Sequence, residues 1–147
     1  MVHALEEVER VLEPGGTLVD LRPVAARWPL DIYVAGEARL AGRIDDSAKA
    51  LDDIAADRAL EVVVSRKLFS QITANSFEYP YYWNTLEQMT DYFQESWSSS
   101  ATLPSDVLDE AERLAGSEAF DSKICVRRKM IIGTYRARKG RICSRQD

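Results

Sequence analysis

Histidine is nearly missing from this sequence: among 147 residues only His3 is one, and it stands close to the N-terminus. A histidine-based catalytic triad or a multi-histidine metal site therefore has no material to be built from. Cysteine is almost as scarce. Cys125 and Cys143 are too few for a disulfide framework, and no charged, apolar, small-residue leader opens the chain, so the reading is of a reducing, cytoplasmic compartment. There is no apolar run of about 18 residues, which excludes a helical membrane span. Glycine occurs seven times, at Gly15, Gly16, Gly36, Gly42, Gly116, Gly133 and Gly140, and no three of these make a G-x-G-x-G-like loop able to cradle a ligand at a helix N-terminus.

What is present is enough for a globular domain with a core, since 46% of the residues are hydrophobic. Charge is unevenly spread along it. Residues 121–147 hold nine Lys or Arg against two Asp, whereas the preceding 120 residues hold ten basic and 22 acidic side chains. A basic segment invites a nucleic-acid reading. Against that, Arg127, Arg128 and Lys129 fall within an alternating strand, where long cations commonly cover a solvated face, and no aromatics are interleaved with them. Neither nucleic acid nor membrane is the expected partner.

The order of elements follows from the punctuation. Leu5, Val8 and Leu12 recur at helical spacing, and Pro14 disfavours helix at Glu13, so a first helix ends there. Pro14-Gly15 supplies a tight turn. Thr17–Arg22 then reads as a strand with apolar residues on both parities, hence one covered on both faces. Asp31–Ala35 and Ala38–Gly42 suggest a small hairpin around Gly36-Glu37. Asp45, Asp46 and Ser47 suit the start of a helix whose inward stripe would be Ala48, Leu51, Ala55, Ala59 and Val62. Leu68–Phe77 alternates as a strand. Asn84 with Glu87 resembles a capping box, opening a helix with Leu86, Met89, Phe93 and Trp97 inward. A further helix after Ser105 turns Val107, Leu108, Ala111, Leu114 and Ala115 inward and stops at Gly116. Ser122–Arg138 reads as a long strand, with Cys125 as a small apolar filler, and residues 139–147 as a polar basic tail.

This order, together with Glu6/Glu7, Glu9-Arg10-Val11-Leu12, Pro14-Gly15-Gly16 and Leu18-Val19, resembles the C-terminal half of a class I S-adenosylmethionine-dependent methyltransferase. In that family a helix carrying E..RVL.PGG.L leads into the fifth strand of a seven-stranded sheet. Phe77–Trp83 followed by a helix resembles the aromatic segment after the sixth strand, and Lys123–Arg138 would be the seventh strand, antiparallel and hairpinned with the sixth. The resemblance implies an α/β fold: a partial Rossmann-like sheet of about three core strands, the last antiparallel, plus a small hairpin, with flanking and inserted helices. Residues 1–138 would form one such half-domain.

In the family the cofactor is held by elements that precede the PGG turn, and none of them is present in this sequence. The chain is thus expected to begin where the cofactor half would end and to have no cofactor site or catalytic residues of its own, S-adenosylmethionine being implied by the family alone. Candidate substrate-binding residues are Arg22, at the exit of the first strand, and Tyr79, Tyr82 and Trp83, aromatics with polar handles. Each has a plain structural alternative, an ion pair for Arg22 and core-edge or lid packing for the aromatics. The acidic pairs Asp45-Asp46 and Asp52-Asp53 read as helix-start and surface residues. Three functions stay open: a methyltransferase-derived remnant inactive alone, a subunit of a split methyltransferase completed in trans, and a homodimeric binding module. With no fourth strand beside it, Thr17–Arg22 would be a bare sheet edge, from which a homodimer or a separate cofactor-domain chain is expected as partner.

Overall fold

A computed structural model describes residues 1–116 and 122–138. The elements are α1 (Val2–Val11), β1 (Thr17–Pro23), β2 (Arg27–Val34), β3 (Glu37–Asp45), a 3₁₀ turn (Ser47–Lys49), α2 (Ala50–Ser65), β4 (Phe69–Trp83), α3 (Leu86–Ser96), α4 (Ser105–Gly116) and β5 (Lys123–Ala137). The fold is mixed α/β. Its strands are hydrogen-bonded in the order β1-β5-β2-β3, and β4 also pairs with β5. No helix among the described residues is long and apolar enough to cross a membrane. The tail expected over 139–147 lies outside the described residues.

The expected Rossmann-like character meets a correction here, because the sheet is antiparallel. β2 runs antiparallel to both β3 and β5. Along β1, the Ala137 N–H donates to the Gly16 carbonyl and the Val24 N–H to the Lys129 carbonyl, so β1 rises as β5 falls. Along β4, the Arg138 N–H donates to the Leu68 carbonyl, and the hydroxyls of Thr73 and Thr134 meet at 2.7 Å, which is again antiparallel. Each pairing that can be followed residue by residue is thus antiparallel, set by the β2–β3 hairpin and the shared strand β5.

The chain divides into two compact units. One contains Met1–Arg22, Leu51–Ser76 and the described residues from Ile131; the other contains Pro23–Ala50 and Phe77–Met130. In the first, α1 and α2 cover one face of the strands. Leu60, Val63, Phe69, Tyr135 and Ala137 form its core, with Val2, Leu5, Val8, Leu12 and Leu18 packed against them. The α1 stripe is therefore the one the spacing predicts. The α2 stripe is not: Ala59, Leu60 and Val63 are buried while Leu51 is 78% exposed, because only the later turns of α2 reach the core. Likewise β1 is not covered on both faces. Leu18 points to the helices, but Val19 and Leu21 are 52% and 56% exposed, with no covering layer among the described residues.

The second unit is built on the hairpin β2–β3, which turns through Ala35 and Gly36, both with positive φ, as a two-residue hairpin requires. Trp28, Leu30, Ile32 and Val34 alternate with partly polar neighbours and pack on Met89, Phe93 and Trp97 of the α3 segment and on Val107, Ala111 and Leu114 of α4. Thr85, not Asn84, caps α3, its Oγ1 accepting from the Gln88 N–H at 3.2 Å. At Gly42 the β3 backbone passes so close to α4 that a Cβ would fall 2.5 Å from Val107 Cγ2. β4 is longer than the expected strand and runs through the aromatic segment to Trp83.

The PGG turn forms as drawn. The Gly16 N–H donates to the Glu13 carbonyl at 2.7 Å, and Gly15 sits at φ +81°, the third position of a type II turn with proline second. Nothing lies within 4 Å of a Cβ built at Gly15, so the whole cost of substitution is conformational. We expect Gly15→Val to destabilise the chain by about 1–2 kcal/mol and Pro14→Ala by less. Urea denaturation checks this; a Gly15→Val midpoint equal to wild type would mean that the turn is not formed.

Candidate functional site

In the first unit a cavity of about 660 Å³ opens between α2 and the strands. Its residues follow from two periodicities. On β1, alternation puts Asp20 and Arg22 on the face that Leu18 turns towards the helices. On α2, Asp53, Asp57, Leu60, Glu61 and Val64 fall three or four apart and share one side. β4 adds Gln71 and Asn75, and β5 adds Ile132, Gly133 and Tyr135.

Arg22 is the centre of the charge pattern. Its Nε donates to Asp20 at 3.2 Å, its Nη1 to Asp53 at 3.4 Å, and its Nη2 to Asp57. Burial works against its charge, but the hydrogen bond to Asp57 and the charge of Asp20 outweigh that and hold the guanidinium above its ordinary pKa. Both readings offered by the sequence thus meet at one residue: Arg22 lines the cavity, and it does so inside an ion-pair cluster. Asp53, read as a surface residue, is one of its partners.

Tyr135 closes the other side. It is 7% exposed, and its ring lies along β5 over Gly133, where a Cβ would come within 2.9 Å of Cε2 and 3.1 Å of Oη. Any side chain at position 133 would push the ring away. The hydroxyl makes no hydrogen bond to a described residue. Burial raises its pKa first, the charges of Asp20 and Asp57 add to that, and Arg22 opposes them. It is a neutral phenol at physiological pH.

The three aromatic candidates lie in the second unit, apart from Arg22 in the partition of the chain. Strand alternation then divides them. Tyr79 stacks edge-on against Tyr81 at 5.0 Å and Tyr81 lies over Trp83 at 6.1 Å, while Tyr82 turns the other way, 6.4 Å from Tyr33. Tyr79 and Tyr82 are exposed; Trp83 is half-buried against Trp97 and Tyr92. The hub is Trp97, edge-on to Trp28, Tyr81 and Tyr92 at 5.0–5.1 Å.

Arg128 contradicts the solvated-face expectation. It is 8% exposed, its guanidinium lies 4.1 Å above the Trp28 ring and 5.6 Å from that of Trp97, and it pairs with buried Asp46 at 3.4 Å. Arginine can be buried here because a planar, weakly hydrated cation stacks on indole, which a lysine ammonium does poorly. Arg127 pairs with Asp31 at 2.9 Å and Glu78 at 3.0 Å, and only Lys129 reaches solvent freely. Two of the three cations are spent on internal ion pairs. Cys125 is buried as expected, and burial pushes its thiol up, against the opposing hydrogen bond from Tyr82.

Among the described residues no three of His, Cys, Asp and Glu converge on a possible metal position. Comparison with protein-family models, curated proteins and solved structures gives no match.

Tyr135 and Glu61 went unnoticed in the sequence, although Asp53, Asp57 and Glu61 at successive four-residue steps, with Gly133-x-Tyr135, carried a signal. A phenol with its folded pKa above its unfolded value holds its proton more tightly in the folded chain. Its contribution is therefore complete below pH about 10 and is lost as pH rises through the folded value. We expect urea stability to fall above that pH and the fall to be shallower in Tyr135→Phe; identical alkaline slopes would show that Tyr135 is not held in this environment.

Proposed function

We propose that this chain is an acceptor-side half of the class I S-adenosylmethionine-dependent methyltransferase scaffold, without a cofactor site or methyl-transfer activity of its own, which acts by associating through the open edge of β1. The observation that carries this reading is the order β1-β5-β4, with β5 antiparallel to both neighbours. The resemblance at Glu9–Val19 implies that order for the fifth, seventh and sixth strands. The PGG turn leads directly into β1, as the same resemblance implies, which adds weight because the two features are independent.

The edge supplies the second half of the reading. Among the described residues β1 pairs only with β5, so its other side presents backbone N–H and C=O groups that soluble proteins rarely leave bare. Its two charges do not guard it, because Asp20 and Arg22 turn into the cavity and Val19 and Leu21 face outward. Pairing with a second copy satisfies both the backbone and the apolar face, most simply as a twofold dimer. A separate cofactor-domain chain would satisfy the same edge and would make the pair a split methyltransferase.

Two outcomes are expected. Calorimetry with S-adenosylmethionine gives no measurable binding to these 147 residues; micromolar affinity would overturn the claim that the cofactor site is missing. Light scattering gives a mass above that of the monomer at high micromolar concentration, reduced to the monomer by Val19→Lys. A clean wild-type monomer over the whole range would remove the homodimer and leave the separate chain as the partner to seek.

A further inference from the structure

We propose that the cavity of the first unit is a binding site for an organic cation, an aliphatic amine. The inference stands whether or not the scaffold is that of a methyltransferase. It begins from the charge of the lining, in which, among the described residues, Asp20, Asp57 and Glu61 face a single cation, Arg22. Arg22 gives three of its five N–H donors to three different carboxylates, which hold its charge. An anionic ligand would therefore meet an excess of like charge. A cation finds the reverse.

Tyr135 makes the site more than an acidic cluster. Its side chain is more than nine-tenths buried, it lines the cavity, and its hydroxyl has no hydrogen-bond partner among the described residues. The hydroxyl is thus free to accept from a donor bound in the cavity. An ammonium group donates to its lone pair while the neighbouring carboxylates Asp20 and Asp57 supply the charge.

Size and wall chemistry narrow the class. The volume suits a small organic molecule. Leu60, Val64 and Ile132 give the apolar contact that a carbon chain uses and a bare metal ion does not. Glu61, exposed and with no partner among the described residues, stands as the second carboxylate for a ligand with two amino groups.

The test is a calorimetric titration with 1,4-diaminobutane at low salt, beside butane-1,4-diol and succinate, which keep the length and replace the charge. The diamine should bind with Kd below about 1 mM, and neither the diol nor succinate should bind. Glu61→Gln should weaken the diamine about fivefold, and so should Tyr135→Phe, whose ring still covers Gly133 and whose melting temperature should not fall. An absence of diamine binding at millimolar concentration would overturn the proposal. So would binding of succinate in its place, or diamine affinity unchanged in both folded variants.

Discussion

β5 is the constraint on which the rest depends. One strand of fifteen residues pairs with β1, β2 and β4, so three strands draw on its backbone groups. Because successive side chains must alternate, the pairing also fixes what each face receives. Ile124 and Val126 go to the core of the second unit, with Arg128 following at the next even step over Trp28; Gly133, Tyr135 and Ala137 go to the helix-covered face of the first. A slip of one residue would reverse every one of these.

Arg128, buried, and Arg22, half-buried, show how different surroundings give the same residue different roles. Arg128 stacks on indole and pairs with one carboxylate, an arrangement that serves the core: removing it would leave Asp46 buried without its guanidinium, a loss of about 3–5 kcal/mol by the general cost of breaking such pairs. Arg22 is surrounded by three carboxylates at the wall of a cavity. There Asp20, Asp57 and Glu61 line the cavity with Arg22, beside the Tyr135 phenol. One site is closed upon itself; the other lines a cavity.

Much of the fold was legible because it depends on local rules. Pro14 and Gly15 fix the turn, the hairpin expected around Gly36-Glu37 forms with its turn one residue earlier, at Ala35-Gly36, and the inward residues of α1, α3 and α4 repeat at helical spacing. What was not legible depends on which faces find a covering layer. Val19 and Leu21 look like core residues in sequence, and so does Leu51, but each is apolar on a face that no described residue covers. Arg128 looks like a solvated cation, and only the convergence of Trp28, Trp97 and Asp46 reveals otherwise. At the candidate sites, Arg22 was visible from its place at a strand end, whereas the role of Tyr135 depends on Gly133 beneath it and on α2, 70 or more residues earlier in the chain.

The most direct test of this account is native-state hydrogen exchange resolved by residue. If β5 is the shared strand, its amides between Ile124 and Ala137 exchange slowest in the molecule, through global unfolding, and those of β1 and β3 exchange faster by local opening. Amides of β5 that exchange as fast as those of β3, or that separate from β4 in their opening free energy while β4 stays protected, would contradict it.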